Sequence, residues 1–263
     1  MNGFQLSEDQ IARFDEEGYL IVPGLLSLEE TKLMAEIARL DQALVSRMAL
    51  RKDAQGGTAQ LALDNCLSDN IYSAIVQSER LVRAMEALLG GEVYHYHHKV
   101  SAKQPYEGGA WEWHQDYGYW YNNGCLFPYM ASCYLAIDPA NRENGCMQLL
   151  AGSQKMGRIE HGKTGDQTGA DMERVNAALK RMPLVYAEMA AGDGLFFHCN
   201  TLHRSDQNRS PHPRWGLICC YNAARNDPYK PGPHPNYSPL EVLPDTAILE
   251  VGMRQLEALK AQS

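Results

Sequence analysis

The stretch WEWHQDYGYW at residues 111–120 places His114 and Asp116 two positions apart in an apolar, aromatic segment. We interpret this segment as a strand or the end of a strand. Successive side chains of a strand point to opposite faces, so His114 and Asp116 would share a face and could bind the same ion. The pair therefore predicts two ligands of a metal site on a β framework, and a third ligand must come from elsewhere.

The third ligand is predicted from the run AAGDGLFFH at residues 190–198, which is typical of a tight turn that leads into a buried strand. This strand would deliver Leu202 and His203 at its end, and His203 is the best candidate among the nine histidines. Two histidines and one carboxylate on one face of iron leave three positions for water, a bidentate 2-oxoacid and dioxygen. The predicted ligand set is therefore typical of a non-haem Fe(II) site.

A 2-oxoglutarate-dependent enzyme also needs a cation for the far carboxylate of this cosubstrate. Arg214 lies eleven residues after His203, which leaves room for a strand, a turn marked by Pro211 and Pro213, and an antiparallel return strand. A planar guanidinium binds a carboxylate through two parallel hydrogen bonds. Ser205 is predicted to lie on the same face as His203 and to donate a further hydrogen bond.

The sequence around these motifs predicts a mainly β fold with flanking helices. From Glu92 onward, short alternating or β-branched runs are separated by turn signals, which favours an antiparallel sandwich or barrel over β-α units. We therefore predict a double-stranded β-helix core of the cupin-like jelly-roll type. The predicted strands cover residues 93–100, 110–116, 129–137, 145–150, 184–188, 194–198 and 215–222.

The first 91 residues are predicted to be largely helical. Ser27 and Glu30 form a capping box, which opens a helix that we expect to extend to about Met48. The polar stretch 51–70 has no clear period and is predicted to be a surface loop that orders over the site. Further helices are expected at residues 7–18, 78–89 and within 164–181, with a short strand at residues 19–22.

Length and composition indicate a globular protein with a real core. We predict a single domain over residues 1–263, with a helical part over about 1–91, a jelly-roll core over about 92–225 and a C-terminal extension over 226–263. A formal net charge of −8 argues against a nucleic-acid partner, which would require a clustered basic surface. A small-molecule partner suits this charge better, and the oligomeric state stays open.

The sequence shows no sign of a membrane or secreted protein. No apolar run approaches the roughly 20 residues that span a bilayer, and the start MNGFQLSEDQ lacks the pattern of a signal peptide. The seven cysteines are odd in number and form no C-x-x-C pair, so neither a disulfide framework nor a zinc knuckle is indicated. We therefore expect a cytoplasmic location.

Five segments together resemble the phytanoyl-CoA dioxygenase family, which includes the ectoine hydroxylases. They are WHQDYGYW, ENGCMQLLAGSQKMG, GDGLFFH, the His203-x-Ser205 pair and Arg214, and the resemblance covers about residues 10–225. It implies an Fe(II)- and 2-oxoglutarate-dependent dioxygenase that hydroxylates an unactivated C–H bond of a small-molecule metabolite. Such an enzyme consumes dioxygen and releases succinate and CO2, with ascorbate as an optional supporting reductant.

The resemblance also implies roles for individual residues. The iron ligands would be His114, Asp116 and His203, and Arg214 and Ser205 would contact 2-oxoglutarate. Because Asp116 is intact, halogenation is disfavoured: family members that chlorinate replace this carboxylate by a small residue.

Further positions are predicted near the cosubstrate and the substrate. Lys103 matches a family position that contacts the cosubstrate, and Tyr134 stands where the phytanoyl-CoA enzyme has a tryptophan. Trp120 matches an ectoine-hydroxylase position near the site. We add Tyr117, from the aromatic run around the ligands, and His97, from a predicted strand, as candidate substrate contacts.

Structural explanations and other functions compete with this interpretation. Lys103 could be a solvated lysine, and Tyr134, Trp120 and Tyr117 could be packed aromatics. A cupin-like zinc or manganese hydrolase or isomerase would need neither Arg214 nor Ser205. A non-catalytic sensor would bind iron and 2-oxoglutarate without turnover.

Overall fold

The computed structural model describes residues 4–262, in which two antiparallel sheets pack against each other and helices flank the larger one. The α-helices are α1 (Glu8–Glu17), α2 (Leu28–Leu40), α3 (Gln42–Ser46), α4 (Ile71–Gln77), α5 (Glu79–Leu89), α6 (Tyr117–Trp120), α7 (Met172–Leu179) and α8 (Ala247–Lys260). The strands are β1 (Tyr19–Val22), β2 (Ala49–Lys52), β3 (Thr58–Asp64), β4 (Val93–Lys103), β5 (Trp111–His114), β6 (Met130–Ala136), β7 (Met147–Leu150), β8 (His161–Thr164), β9 (Gln167–Ala170), β10 (Leu184–Ala187), β11 (Gly194–His198), β12 (His203–Ser205) and β13 (Arg214–Ala223).

The sheet topology is that of a double-stranded β-helix. The large sheet has the strand order β1-β11-β6-β13-β4-β3-β2, the small sheet has the order β10-β7-β12-β5, and β8 and β9 form a separate hairpin. All pairings between these strands are antiparallel. The predicted fold class, mainly β with flanking helices and a jelly-roll core, is confirmed.

The helices begin and end where side chains satisfy the free backbone groups. At the start of α2, the Ser27 hydroxyl accepts from the Glu30 N–H, and the Glu30 carboxylate accepts from the Ser27 N–H at 2.7 Å. At the end of α1, Gly18 adopts φ 78°, a conformation that glycine reaches without strain. The apolar faces of α2, α5 and α8 then join the outer face of the large sheet in one hydrophobic core.

The helix predicted from Ser27 to Met48 is interrupted, so this prediction is wrong in its second half. Asp41 leaves the helical conformation with ψ 86°, and its carboxylate caps a new short helix by accepting from the Leu44 N–H at 2.8 Å. Aspartate competes well for such cap positions, because its short side chain reaches the free N–H groups. The chain therefore turns at Asp41, between α2 and α3.

The stretch 51–70 is not the predicted surface loop. Most of it belongs to the hairpin of β2 and β3, and β3 pairs with β4, so the hairpin extends the large sheet. Asp53 closes the hairpin turn by accepting from the N–H groups of Gln55 and Gly57. All four side chains of β2 are exposed, so the strand carries no apolar alternation by which the sequence could reveal it.

The path from His203 to Arg214 also differs from the prediction. His203 lies on β12 in the small sheet, whereas Arg214 begins β13 in the large sheet, so the two strands do not pair with each other. The connecting turn is held by Asn208, whose side chain donates to the His212 carbonyl and accepts from the Ser210 N–H. The chain thus crosses between the sheets, and His203 and Arg214 come to line one cavity between them.

No helix within residues 4–262 is long and apolar enough to cross a membrane.

Candidate active site

His114, Asp116 and His203 form a compact cluster that could hold a metal ion. Their ligand atoms all lie within 4.8 Å of one another, and His114 Nε2 is 3.7 Å from the Asp116 carboxylate. Asp116 is 1% exposed and His203 is 5% exposed. The structure therefore brings the three predicted ligand residues together in a buried position.

The geometry of the His114–Asp116 pair arises differently from the prediction. Strand β5 ends at His114, and Asp116 adopts φ −57° and ψ −39° at the start of α6, so the two side chains converge through a strand-to-helix turn. His203 is directly opposite His114 in the pairing of β12 with β5. The convergence depends on this turn, since the alternation expected of a continuous strand stops at His114.

Gln115 fixes this turn. Its side-chain amide donates to the carbonyls of Gly157 and Asn200, both at 2.8 Å, and its oxygen accepts from the Ile159 N–H at 2.9 Å. All three partners are backbone groups, and the side chain is fully buried. The residue between the two ligands therefore anchors them to two neighbouring loops.

Backbone carbonyls orient both imidazole rings. His114 Nδ1 lies 2.7 Å from the Glu112 carbonyl, and His203 Nδ1 lies 2.9 Å from the Thr201 carbonyl. A carbonyl can only accept, so each Nδ1 carries the proton and each Nε2 is free to bind a metal. This is the tautomer that a metal-binding histidine needs.

The electrostatics of the cluster suit a divalent cation. Burial and the neighbouring His203 lower the pKa of His114 to about 3, and burial lowers the pKa of His203 as well. Burial alone would raise the pKa of Asp116. The charges of Lys99 and the two histidines lower this pKa by more than burial raises it, so the net shift is downward. Near neutral pH the cluster therefore presents two neutral imidazoles and one carboxylate, which are the protonation states of metal ligands.

The metal cluster opens into a cavity of about 430 Å³ between the two sheets. Its lining residues are Arg51, Leu61, Lys99, Ser101, Trp111, His114, Asp116, Tyr119, Tyr134, Met147, Asp166, Gln167, Thr168, Phe197, His203, Arg204, Ser205, Arg214 and Ile218. Both sheets, the β2–β3 hairpin and the β8–β9 hairpin contribute to this wall. The cavity is large enough for a small organic ligand beside the metal cluster.

Four buried polar atoms in this cavity have no hydrogen-bond partner in the part of the chain that the structure describes. They are Nε and Nη1 of Arg214, the hydroxyl of Tyr134 and the hydroxyl of Ser205. Arg214 is 2% exposed, and its guanidinium carbon lies 5.6 Å from the centre of the Tyr134 ring. Unpaired buried polar groups are costly, so this arrangement fits an anionic ligand that accepts from all three side chains.

Lys103 lies next to this subsite but does not line the cavity. It is opposite Arg214 in the pairing of β4 with β13, and its fully buried ammonium donates to the backbone carbonyls of Ser205 and Asp206. Burial and the charge of Arg214 lower the pKa of Lys103 well below its usual range. In this structure Lys103 holds the segment after His203, and its contact with the cosubstrate stays a prediction.

The candidate substrate contacts Trp120, Tyr117 and His97 are buried behind the cavity wall, so the structure does not place them where the sequence predicted. Trp120 packs edge-on against His97, and the Tyr117 hydroxyl donates to the Cys125 carbonyl. The helical turn after Asp116 explains the difference, because it directs Tyr119 into the cavity and its neighbours into the core. His97 lies beyond the end of the cavity, stacked on His234 at 4.5 Å.

Sequence reasoning gave no individual role to Tyr119 or Lys99, which both line the cavity near the metal cluster. The Tyr119 hydroxyl donates to the Asp116 carboxylate at 2.7 Å, and the Ser132 hydroxyl lies 3.4 Å from the other oxygen. The signal for Tyr119 is its position three residues after Asp116. Two side chains three positions apart share a face on a helix but not on a strand. The signal for Lys99 is its alternation with Ser101 and Lys103 on β4.

The jelly-roll fold with a two-histidine, one-carboxylate cluster beside an arginine subsite defines the class of non-haem iron oxygenases. The model of the phytanoyl-CoA dioxygenase family, PhyH, matches residues 14–216. The chain belongs to this family, and the resemblance found in the sequence is confirmed.

Two relatives match most of the chain. L-proline trans-4-hydroxylase from Streptomyces griseoviridis is 31% identical over 242 residues, covering 85% of this chain and 89% of the relative. Ectoine dioxygenase from Bordetella parapertussis is 29% identical over 254 residues, covering 88% of this chain and 80% of the relative. The sequence similarity therefore extends well beyond the metal motif.

The crystal structure of EctD from S. alaskensis with 2-oxoglutarate and 5-hydroxyectoine has a similar fold. The TM-score is 0.77 at 22% identity, with 93% of this chain and 89% of that chain covered. The carbocyclase SnoK from nogalamycin biosynthesis also matches, with a TM-score of 0.67 at 20% identity over 92% of this chain and 96% of that chain. Both comparisons bear on the fold alone.

Proposed function

We propose that this protein is an Fe(II)- and 2-oxoglutarate-dependent dioxygenase that hydroxylates a C–H bond of a small-molecule metabolite. One oxygen atom of dioxygen enters the product and the other enters succinate, with release of CO2. The observation that carries the proposal is the set of four unpaired polar atoms at Arg214, Tyr134 and Ser205, in the same cavity as the His114, Asp116 and His203 cluster. The family membership and the two relatives support it.

In this proposal His114, Asp116 and His203 hold the iron through two imidazole nitrogens and a carboxylate. Bound Fe(II) would supply the activation of dioxygen that C–H hydroxylation requires. The backbone carbonyls behind both histidines fix their rings, and Tyr119 and Ser132 fix the carboxylate. The donor set is one that iron accepts, and its buried position restricts access of water.

Arg214, Tyr134 and Ser205 bind the far carboxylate of 2-oxoglutarate in this proposal. The guanidinium can donate two parallel hydrogen bonds to one carboxylate, and the two hydroxyls donate one each, so the carboxylate pairs with all three side chains of the subsite. The 2-oxoacid end is thereby directed toward the metal cluster. Apolar side chains of the cavity wall, among them Phe197 and Ile218, exclude water around it.

The alternatives from the sequence explain less of this cavity. A metal-dependent hydrolase or isomerase leaves Arg214, Tyr134 and Ser205 unpaired in a buried place. A sensor would bind both ligands, and only a turnover measurement separates it from an enzyme. We therefore retain the dioxygenase as the proposal.

The proposal includes a single domain and a cytoplasmic location. One hydrophobic core joins the N-terminal helices, the large sheet and α8, which supports a single folding unit. All seven cysteines are free thiols, six of them buried, which suits a reducing compartment.

The test is the visible charge-transfer band that an Fe(II)–2-oxoglutarate chelate gives under anaerobic conditions. We expect a band in the wild type, a weaker one in Arg214→Ala and none in His203→Ala. Arg181→Ala, an exposed arginine at the end of α7, is the matched control and should leave the band unchanged. An iron-loaded wild type without the band would exclude the proposal.

Substrates can then be screened by succinate release. L-proline and ectoine are the first compounds to test, since the relatives are named for reactions on them. Slow succinate release without any substrate would already separate an enzyme from a sensor.

A further inference from the structure

Lys99 is a charged group in the cavity that the proposed reaction does not use. It lies on β4, is half-buried and lines the cavity wall. Within residues 4–262 its ammonium has no hydrogen-bond partner and no carboxylate within 4.0 Å. In contrast, Arg204 in the same wall pairs with Asp206 at 3.4 Å and donates to Gln148.

The Lys99 position is separate from the subsite at Arg214. On the large sheet Arg214 is opposite Lys103, whereas Lys99 is opposite Ile218, four residues further along β13. At a rise of about 3.3 Å per residue, the two positions are about 13 Å apart along the sheet. One small carboxylate held by the Arg214 subsite therefore leaves Lys99 for another ligand.

Asp116 does not serve as the counterion of Lys99. The Asp116 carboxylate accepts from Tyr119 on one oxygen, and the Ser132 hydroxyl faces the other. Lys99 and Asp116 nevertheless line the same cavity. The ammonium therefore faces the space beside the metal cluster without contacting its carboxylate.

The surroundings of Lys99 make an unpaired charge costly. Its neighbours in the cavity wall include Leu61 and Ile218, which offer no polar atom, and Ser101 on the same strand. A half-buried ammonium loses part of its hydration, and a paired anion in the cavity would compensate for that loss. A ligand that carries an anionic group to this position would supply it.

We infer that Lys99 binds a carboxylate of the substrate and so selects small organic acids. This inference rests on the proposed function, because it assumes that the space beside the metal cluster holds the substrate. An ammonium donates strong, charge-assisted hydrogen bonds to a carboxylate. The anchored carboxylate would also fix which C–H bond of the substrate faces the metal.

The experiment measures ligand binding to the anaerobic Fe(II)–2-oxoglutarate holoenzyme by calorimetry. The probes are matched pairs of an acid and its neutral amide: L-proline and L-prolinamide, L-leucine and L-leucinamide, benzoate and benzamide. We expect at least one acid to bind while its amide does not. Lys99→Met should weaken that binding by about 10- to 100-fold, the range for a hydrogen bond to a charged group, and Lys99→Arg should retain part of it.

The matched control is Lys52→Met, which removes an exposed lysine on β2 outside the cavity wall and should bind as the wild type does. A folding defect is distinguished by thermal denaturation of the ligand-free protein. Lys99→Met should melt no lower than the wild type, because it removes an unpaired, partly buried charge. A lower melting temperature would indicate a structural role and would count against the inference.

Three outcomes would overturn the inference: no acid of the set binds, the amides bind as well as the acids, or Lys99→Met binds as the wild type does. The charge-transfer band of the wild type keeps this test separate from that of the proposed function. A wild type with the band but without acid binding would refute only the role of Lys99.

Discussion

The two ends of the cavity are built in opposite ways. At the metal end the protein itself supplies a hydrogen-bond partner for each residue of the metal cluster. Backbone carbonyls orient the two histidines, and Tyr119 and Ser132 orient Asp116. At the other end, polar atoms of Arg214, Tyr134 and Ser205 are buried without a hydrogen-bond partner among residues 4–262. The metal end is therefore pre-formed by the chain, whereas the arginine end depends on a ligand to complete it.

The largest effect should come from removing the ligand carboxylate at the pre-formed end. Asp116→Ala leaves two histidines and no anion. Loss of a residue that only orients a metal ligand weakens metal binding by up to about 100-fold, so we expect Fe(II) affinity to fall by more than this and turnover to be lost. Titration with Fe(II) measures the affinity. Asp69→Ala, an exposed aspartate that pairs with Arg254 on the surface, is the control and should bind iron normally. Normal iron binding by Asp116→Ala would remove Asp116 from the ligand set.

Arg214→Met tests the end that lacks internal partners. Removing an unpaired buried charge should raise the free energy of unfolding of the ligand-free protein by about 1 kcal/mol and its Tm by about 2–4 °C. The same change should greatly reduce the rise in Tm that 2-oxoglutarate causes in the wild type. Differential scanning calorimetry with and without the ligand measures both effects, and Arg181→Met is the control. A ligand-free variant that melts well below the wild type would mean that Arg214 has partners of its own.

Tyr119→Phe removes one hydroxyl from the pre-formed end. The change leaves the ring near His114 in place but deprives Asp116 of its 2.7 Å hydrogen bond. We expect Fe(II) affinity to fall by about 10- to 100-fold, as for other residues that orient metal ligands. Titration with Co(II), whose visible spectrum reports coordination, measures the affinity and the geometry together. Tyr121→Phe, at an exposed tyrosine in the next turn, should change neither.

The smallest effect concerns two histidines that do not line the cavity and that contact each other. On the outer face of β4, His95 and His98 are buried with their ring nitrogens 3.0 Å apart. Burial, and for His95 the charge of His98, lowers their pKa values to about 3 and about 4. The unfolded chain, with histidine pKa values of about 6.5, therefore binds more protons below that pH, and stability falls as the pH falls from 6.5 toward 4.

We expect His98→Gln to reduce this loss of stability between pH 6.5 and 5, as measured by urea denaturation at several pH values. An unchanged slope in His98→Gln would show that this pair does not contribute to the acid sensitivity.

The sequence carried enough information to predict the jelly roll and the residues of the candidate metal cluster, because both depend on spacing along the chain. His114, Asp116, His203 and Arg214 were found through short-range pattern and order, and the turn into β11 was found through its glycines. The predictions that failed concern features that depend on tertiary contacts. The route from β12 to β13 requires knowing in which sheet each strand lies, and no local pattern contains that.

The errors around the ligands have one physical cause. Once the chain turns helical at Asp116, the side chains that face the cavity recur at helical spacing, so Tyr119 faces inward and Tyr117 and Trp120 do not. An aromatic run of uniform character hides this switch. The β2–β3 hairpin was missed for a related reason. All side chains of its outer strand, β2, are exposed, so this strand has no alternating apolar pattern, and it is held in the sheet by its backbone pairing with β3.

The bonds of Gln115 have a consequence for how such a protein can change over generations. Its side chain, like the two histidine Nδ1 atoms, is held by main-chain groups, and main-chain groups persist whichever residue occupies a position. Mutations in the surrounding loops can therefore exchange side chains without removing the support of the candidate metal cluster. New substrates could be accommodated by altering the cavity wall, while the chemistry it serves is inherited intact.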